Sequence, residues 1–178
     1  MLLSDSKINL RALEPEDLEL LYDWENMPQF WDTGNTRQPY SRYELKQYIS
    51  QINKDIYESR QLRLMIYDIT TQQAVGTVDL FNFDPYHSRI ELGLFVAPEF
   101  KGKGFATSAL HLIEEYVFSF LKIHQLYCHI AGTNLAGITM FTKENFSSVK
   151  LTSWIRTVEG YEDVVLFQQF ATNYRKPE

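Results

Sequence analysis

The sequence predicts an α/β (α+β) fold in which about seven strands and about four helices follow the order β-α-α-β-β-β-α-β-α-β-β. Three observations carry that expectation. Apolar residues alternate along several short runs, most clearly Arg89-Ile90-Glu91-Leu92-Gly93-Leu94-Phe95-Val96, with the period of a strand. The run from Ser108 to Leu121 puts Ala109, Ile113, Tyr116, Val117 and Phe120 on one face at helical spacing. Between these two lies a turn with two glycines, Lys101-Gly102-Lys103-Gly104-Phe105-Ala106-Thr107. The chain has 178 residues and shows no internal repeat, low-complexity stretch or linker. It therefore reads as one domain over residues 1–178, large enough to bury a core.

Each element has a local reason. Ile8 to Leu13 alternates and forms the first strand. Pro15 suits the first turn of a helix, with the acids Glu16 and Asp17 at its favourable end; this helix should run to about Asn26. Met27 to Pro39 is a loop. Ser41, with Glu44 three residues later, has the pattern of a capping box and opens a second helix expected to reach about Glu58. Leu62–Ile69 and Val75–Phe83 are strands joined near Thr71-Gln72, and Asp84-Pro85-Tyr86-His87 turns into the strand ending at Val96. After the long helix, Gln125–Ala131 is a strand and Asn134 caps a short helix to about Glu144. Ser148–Thr157 and Asp163–Phe170 close the chain as a hairpin turning at Glu159-Gly160.

Composition excludes several classes. Hydrophobic residues make up 44% and aromatics 15%, which suits a packed core rather than a disordered chain. The formal charge is −6, and residues 1–32 hold all of it: eight acids (Asp5, Glu14, Glu16, Asp17, Glu19, Asp23, Glu25, Asp32) against Lys7 and Arg11. No basic stripe exists, so nucleic acid is not an expected partner; the acidic N-terminal part suits a cationic one. Cys128, the single cysteine, lies in an apolar run and is expected to be a buried, inert thiol. No segment reads as a signal peptide and no apolar run is long enough to span a bilayer. A soluble, cytoplasmic protein without a membrane partner is expected. His87, His111, His124 and His129 show no metal-binding spacing, so no metal site is expected.

The glycine turn carries the functional signal. A turn leading into a helix aims several backbone N–H groups at one point, a site for phosphate or pyrophosphate. The glycines let a ligand approach without a Cβ in the way. The P-loop pattern fails because the glycines are two apart and no Gly-Lys-Ser/Thr follows. The dinucleotide pattern fails at Thr107, which holds the third glycine position. What remains, Lys101-Gly102-Lys103-Gly104-Phe105-Ala106 after Pro98-Glu99, resembles the acetyl-CoA loop of the GNAT N-acetyltransferases, Gln/Arg-x-x-Gly-x-Gly/Ala. Lys101 departs mildly from Gln or Arg; it stays cationic and the backbone amides do most of the holding. The element order also matches the GNAT fold, a mixed, strongly curved sheet flanked by helices. From Val75 through the glycine loop the chain looks especially like the polyamine and ribosomal-protein acetyltransferase branches.

The resemblance implies acetyl-CoA as cosubstrate. Lys101, Gly102, Lys103, Gly104, Phe105, Ala106 and Thr107 would hold its pyrophosphate. Its pantetheine arm would lie where the loop-bearing strand parts from its neighbour, pairing with backbone near Phe95 and Val96. Asn134 matches a residue that hydrogen-bonds CoA in relatives, and it can also cap its helix, worth about 1 kcal/mol. Many relatives are dimers and some polyamine enzymes form larger rings, so a homodimer or larger homo-oligomer is implied.

Acetyl transfer to an amine needs a neutral amine, a polarised thioester carbonyl and a stabilised leaving thiolate. Glu91 shares a strand face with Gly93 and Phe95 by alternation. Relatives often hold a glutamate here that takes the amine's proton, directly or through water, which makes Glu91 the candidate base; a solvent-facing strand glutamate is the alternative. The acid position departs. The family pattern Asn-x-x-Ala-x-x-x-Tyr-x-Lys-x-Gly-Phe here spans Asn134 to Phe146, with Phe141 where the tyrosine that often protonates the thiolate would stand. Thr139, Thr142, Tyr127 and Tyr161 are the hydroxyls left to consider. Asn145 replaces the glycine and tolerates the left-handed turn position.

On the acceptor side, Glu19, Asp23 and Glu25 cluster in the first helix, which lines the acceptor site in relatives; a solvated helix face is the competing reading. Trp24, Phe30, Trp31 and Tyr40 are candidates for an apolar wall or for core. His87 is a candidate acceptor contact or an ordinary turn residue. The expected function is acetyl transfer from acetyl-CoA to a primary amine, with a polyamine or other small cationic amine as the favoured acceptor. The alternatives are a protein N-terminal acetyltransferase and a catalytically weak acyl-CoA-binding module, the latter supported by Phe141.

Overall fold

The computed structural model describes residues 2–28, 38–52 and 54–174. Seven alternating runs form β1 (Ile8–Ala12), β2 (Leu62–Asp68), β3 (Gln73–Asp84), β4 (Arg89–Val96), β5 (Gln125–Ala131), β6 (Ser147–Thr157) and β7 (Gly160–Phe170). They make one mixed sheet in the order β1-β2-β3-β4-β5-β7-β6. Every neighbouring pair is antiparallel except β4 and β5. That parallel pair needs a long crossover, and the glycine turn with the helix after it supplies one. The described residues include five α-helices: α1 (Leu18–Glu25), α2 (Arg42–Gln51), α3 (Ile56–Ser59), α4 (Phe105–Glu114) and α5 (Leu135–Lys143). None of the described helices is long and apolar enough to cross a membrane.

The period-two pattern sends side chains to two different environments. Ile66, Val78, Leu80, Ile90, Leu92 and Leu126 pack with Ala109, Leu110 and Ile113 of α4 and Phe141 of α5 in a large apolar cluster. On the other side, Met65 and Phe95 pack with Leu21 and Trp24 of α1 and Leu45 and Ile49 of α2 in a smaller one.

Several boundaries differ from the sequence expectation for physical reasons. The second helix stops at Gln51, and α3 is a separate turn. Asp55 restarts it by accepting the Tyr57 N–H at 2.8 Å, and Arg60 ends it at φ 60°. The long helix begins at Phe105, three residues before Ser108, because left-handed Gly104 is its N-cap. From Glu115 to Phe120 it widens into a π-helix, which changes the residue phase. Val117 and Phe118 are buried, whereas Phe120 is 61% exposed and leaves the face that α-helical spacing assigned it. Asn145 sits at φ 61° after α5, the conformation expected of it.

Candidate active site

At the glycine turn, Gly102 and Gly104 have φ of +76° and +79°, a region open to glycine and costly for most side chains. Gly104 offers α4 no side-chain cap, and the first turn of α4 contains no acid. The leading N–H groups of Phe105, Ala106 and Thr107 are thus presented with the positive end of the helix dipole behind them. Lys101 and Lys103 lie in the turn. Lys7, just before β1, reaches across to donate to the Lys103 carbonyl, and its Nζ lies 5.2 Å from the centre of the Phe105 ring. The Lys103 Nζ lies 5.2 Å from the centre of the Phe100 ring. Lys7 thereby adds positive charge to the turn, a role with no local signal because 96 residues separate it from Lys103.

β4 leads into this turn. It pairs with β5 through Arg89–Gln125, Ile90–Leu126 and Glu91–Tyr127. Beyond Glu91 the two strands no longer pair with each other, while β4 stays on β3 out to Gly76–Val96 and β5 stays on β7 out to Ala131–Val164. A gap therefore opens beside Phe95 and Val96, where the sequence reading expects it, with Glu91 at its vertex.

Glu91 is not solvent-facing. Its side chain is 11% exposed and both oxygens are engaged. Oε2 accepts from Asn82 Nδ2 at 2.8 Å, and Oε1 lies 2.7 Å from His129 Nδ1. Asn82 reaches it from a bulge after Phe81, at φ 50°; bulges re-aim side chains in this way. His129 follows Tyr127 by two residues on β5 and so shares its sheet face. Burial and the Glu91 carboxylate both push the Tyr127 hydroxyl pKa up. The Trp154 ring lies parallel to the His129 ring, 6.4 Å away at 5°. The sequence reading missed Asn82 and His129 as partners of Glu91. The parallel register of β4 and β5, had it been derivable, would have set Tyr127 opposite Glu91 and His129 two residues on, on the same face.

A pocket of about 390 Å³ opens on the same side of the sheet, with Glu25 of α1, Tyr40, and Glu44, Leu45 and Tyr48 of α2 on one wall. Arg63 of β2, Asp79 and Phe81 of β3 and Gly93 of β4 also line it. Arg63 donates to both Asp79 and Glu25. Burial opposes the Arg63 charge, but Asp79 and Glu25 outweigh it and hold its pKa above the ordinary arginine range. Burial also pushes the Tyr48 hydroxyl up to about 12. Glu44, whose carboxylate accepts from the Ser41 N–H and hydroxyl, adds a third acid to the lining, while burial pushes the Asp79 carboxyl up against the pull of Arg63. Asn26 steadies the wall by donating to the carbonyls of Tyr22 and Tyr40 and accepting the Tyr40 N–H.

Other candidates fall elsewhere. Glu19 is held by Arg42 at the surface and Asp23 is exposed; of the three acids of that helix, Glu25 reaches the pocket. Trp24 is core, its ring 5.2 Å from that of Phe95, while Tyr40 lines the pocket. Phe30 and Trp31 lie outside the described residues. His87 sits in an exposed turn, its N–H donating to Asp84. Phe141 is 2% exposed and packs on Phe146 and Phe167. Thr139 and Thr142 donate to Leu135 and Ile138 of their own helix, which commits their protons. Tyr161 is exposed near the hairpin turn. The Asn134 side chain accepts from the Gly137 N–H at 3.0 Å, capping α5. Burial pushes the Cys128 thiol up, with Glu91 adding to it, as suits an inert core thiol. No group of three or more His, Cys, Asp or Glu that could hold a metal occurs among the described residues.

Comparison with known proteins gives this geometry a context. The family model described as an acetyltransferase (GNAT) domain matches residues 7–147. Spermidine N(1)-acetyltransferase of Vibrio cholerae is 27% identical over 145 residues, 80% of each chain. The solved structure of spermidine N-acetyltransferase from Vibrio cholerae in complex with CoA and spermine superposes with a TM-score of 0.83. It is 26% identical and covers 96% of this chain and 99% of that one. A dodecameric structure of that enzyme, in an intermediate state, gives 0.76 at 25% identity over 96% and 97%.

Proposed function

Because the chain belongs to the GNAT acetyltransferase family, we propose that it moves an acetyl group from acetyl-CoA to a primary amine of a polyamine or similar small polycation. The carrying observation is the acidic pocket beside Glu91. A polyamine alternates ammonium groups with alkyl segments. Glu25, Glu44 and Asp79 suit the first, and Tyr40, Tyr48, Leu45 and Phe81 suit the second, with aromatic faces adding attraction for cations. Gly93 lines the pocket and lies two residues along β4 from Glu91, so a seated polycation can extend one terminal amine toward the vertex.

In this reading, residues 101–107 hold the pyrophosphate by backbone N–H groups, assisted by the lysine charges. Phe95 and Val96 offer sheet-edge backbone to the pantetheine amides, and Asn134 adds a CoA contact to its capping role. Glu91 assists removal of the amine's proton. The chemistry calls for no metal. Residues 1–178 act as one domain, because the sheet closes only with β7 and β6, beyond the matched segment. The cytoplasm is the compartment implied, since the acetyl donor is an intracellular thioester. A homo-oligomer is the assembly implied, by analogy with the dodecameric relative.

The test is CoA-thiol release from acetyl-CoA over polyamines, diamines, amino acids, aminoglycosides and N-terminal peptides. Saturable release with polyamines or diamines is expected. Release with peptides alone would make the chain a protein N-terminal acetyltransferase. Tight acetyl-CoA binding with no release from any amine would favour the acyl-CoA-binding module, the reading that buried Phe141 supports.

A further inference from the structure

Resting on the acetyltransferase reading, we infer that His129 Nε2 is the atom that takes the amine's proton, and that Glu91 is the positioning residue behind it. Three features of the cluster lead there. The Glu91 carboxylate is occupied at both oxygens, by Asn82 and His129. It is also the more enclosed of the pair, its side chain 11% exposed against 30% for His129. The imidazole, not the carboxylate, is therefore the group a substrate can reach. At 2.7 Å an ionised carboxylate can only accept, so Nδ1 carries the hydrogen in the neutral ring and the lone pair is left on Nε2. A carboxylate that fixes tautomer and orientation in this way is the recurring partner of a histidine base.

The surroundings hold the ring without competing for that lone pair. Trp154 of β6 lies parallel to it, and Tyr127 of β5 meets it edge-on, 5.9 Å between centres. The residue paired with His129 on β7 is Leu166, which does not titrate. The ionisable groups facing the cluster are Glu91 on β4, Tyr127 on β5, and Asp84 and Arg89 at the ends of β3 and β4, both felt by Tyr127.

The step balances. The amine nitrogen bonds to the acetyl carbonyl carbon and loses its proton to Nε2. The carbon–sulfur bond breaks with its electron pair on sulfur. The imidazolium then returns that proton to the thiolate, and the ring is neutral again. His129 stands on β5, which borders the gap expected to hold the pantetheine arm. One residue acting first as base and then as acid removes the need for the tyrosine that Phe141 replaces.

The experiment uses the full chain with the amine that the panel selects. His129→Gln should bind acetyl-CoA normally, lose about 100-fold or more in kcat, and lose the rise of rate with pH. Added imidazole should restore part of the rate in His129→Ala, which a purely structural defect would not allow. Glu91→Gln, which can still accept from Nδ1, should lower kcat yet keep the pH rise. The inference is overturned if His129→Gln turns over within about threefold of wild type, or if Glu91→Gln alone abolishes the pH rise. Should His129→Gln fail to fold, the imidazole response of His129→Ala decides, and no response there overturns the inference. Wild type that binds acetyl-CoA but acetylates no amine would overturn the transferase reading itself, an outcome distinct from both.

Discussion

The glycine turn and the acidic pocket sit on one sheet but are made of different material. The turn presents backbone from seven consecutive residues, 101–107, at the uncapped end of α4. The pocket gathers side chains from α1, α2, β2 and β3 over the bare backbone of Gly93 on β4, residues spread from Glu25 to Gly93. A site made of backbone should tolerate a change of side chain, such as Lys101 in place of Gln or Arg, but not a Cβ where φ is positive. A site made of side chains has the opposite weakness: its buried charges satisfy one another, so removing one strands the rest.

The largest break in that comparison comes from Arg63→Met. It leaves Asp79 and Glu25 without their shared cation and should cost about 3–5 kcal/mol of stability, read by urea denaturation. Glycine-turn residues should produce no stability loss of that size. Next, Gly104→Val forces a β-branched residue to φ +79° and closes the approach to the N–H groups. Acetyl-CoA affinity should fall about 100-fold or more in a calorimetric titration, while Lys101→Ala should cost less than about threefold. Equal losses from the two changes would refute a backbone-built site.

A third test changes a buried acid of α4 without touching the pocket. Glu114 is buried near the far end of α4, and burial raises its pKa from 4.5 to about 7, against the opposing pull of His111 and Gln169. Between those values the folded state binds the extra proton. This contribution is therefore complete below about pH 4.5, is lost as pH rises to 7, and stays lost above it, a change on the order of 3 kcal/mol. Glu114→Gln should remove that slope in melts across pH and leave the protein more stable than wild type at pH 8. The smallest effect belongs to a capped helix end. Asn134→Ala should cost about 1 kcal/mol, as Ser41→Ala should at α2, where the hydroxyl accepts the Glu44 N–H at 3.2 Å. If Asn134→Ala also weakens acetyl-CoA binding, the cap and the cosubstrate contact are shared.

Much of the architecture was legible because it is written locally. Alternation located all seven strands, Ser41 with Glu44 marked the start of α2, and Asn134 marked that of α5. The phase of the helix after Glu114 was not legible, since periodicity assumes α-geometry and the chain turns π-helical there. The glycine turn and Glu91 could be found from sequence. The partners of Glu91 could not, because Asn82 depends on a bulge and His129 on a parallel pairing. Glu19 and Asp23 looked like pocket acids from charge alone; only the orientation of α1 shows that Glu25 is the one facing Arg63.

By itself, then, the sequence determined the seven strands, the main helices, their order and the glycine turn, each a property of residues within a few positions of one another. The tertiary structure alone decided the His129–Glu91–Asn82 cluster, the reach of Lys7 to the turn and the charge-linked pocket. Those depend on which strands pair, in what register and with which bulge, and such long-range choices are set by the packing of the whole sheet rather than by any local pattern.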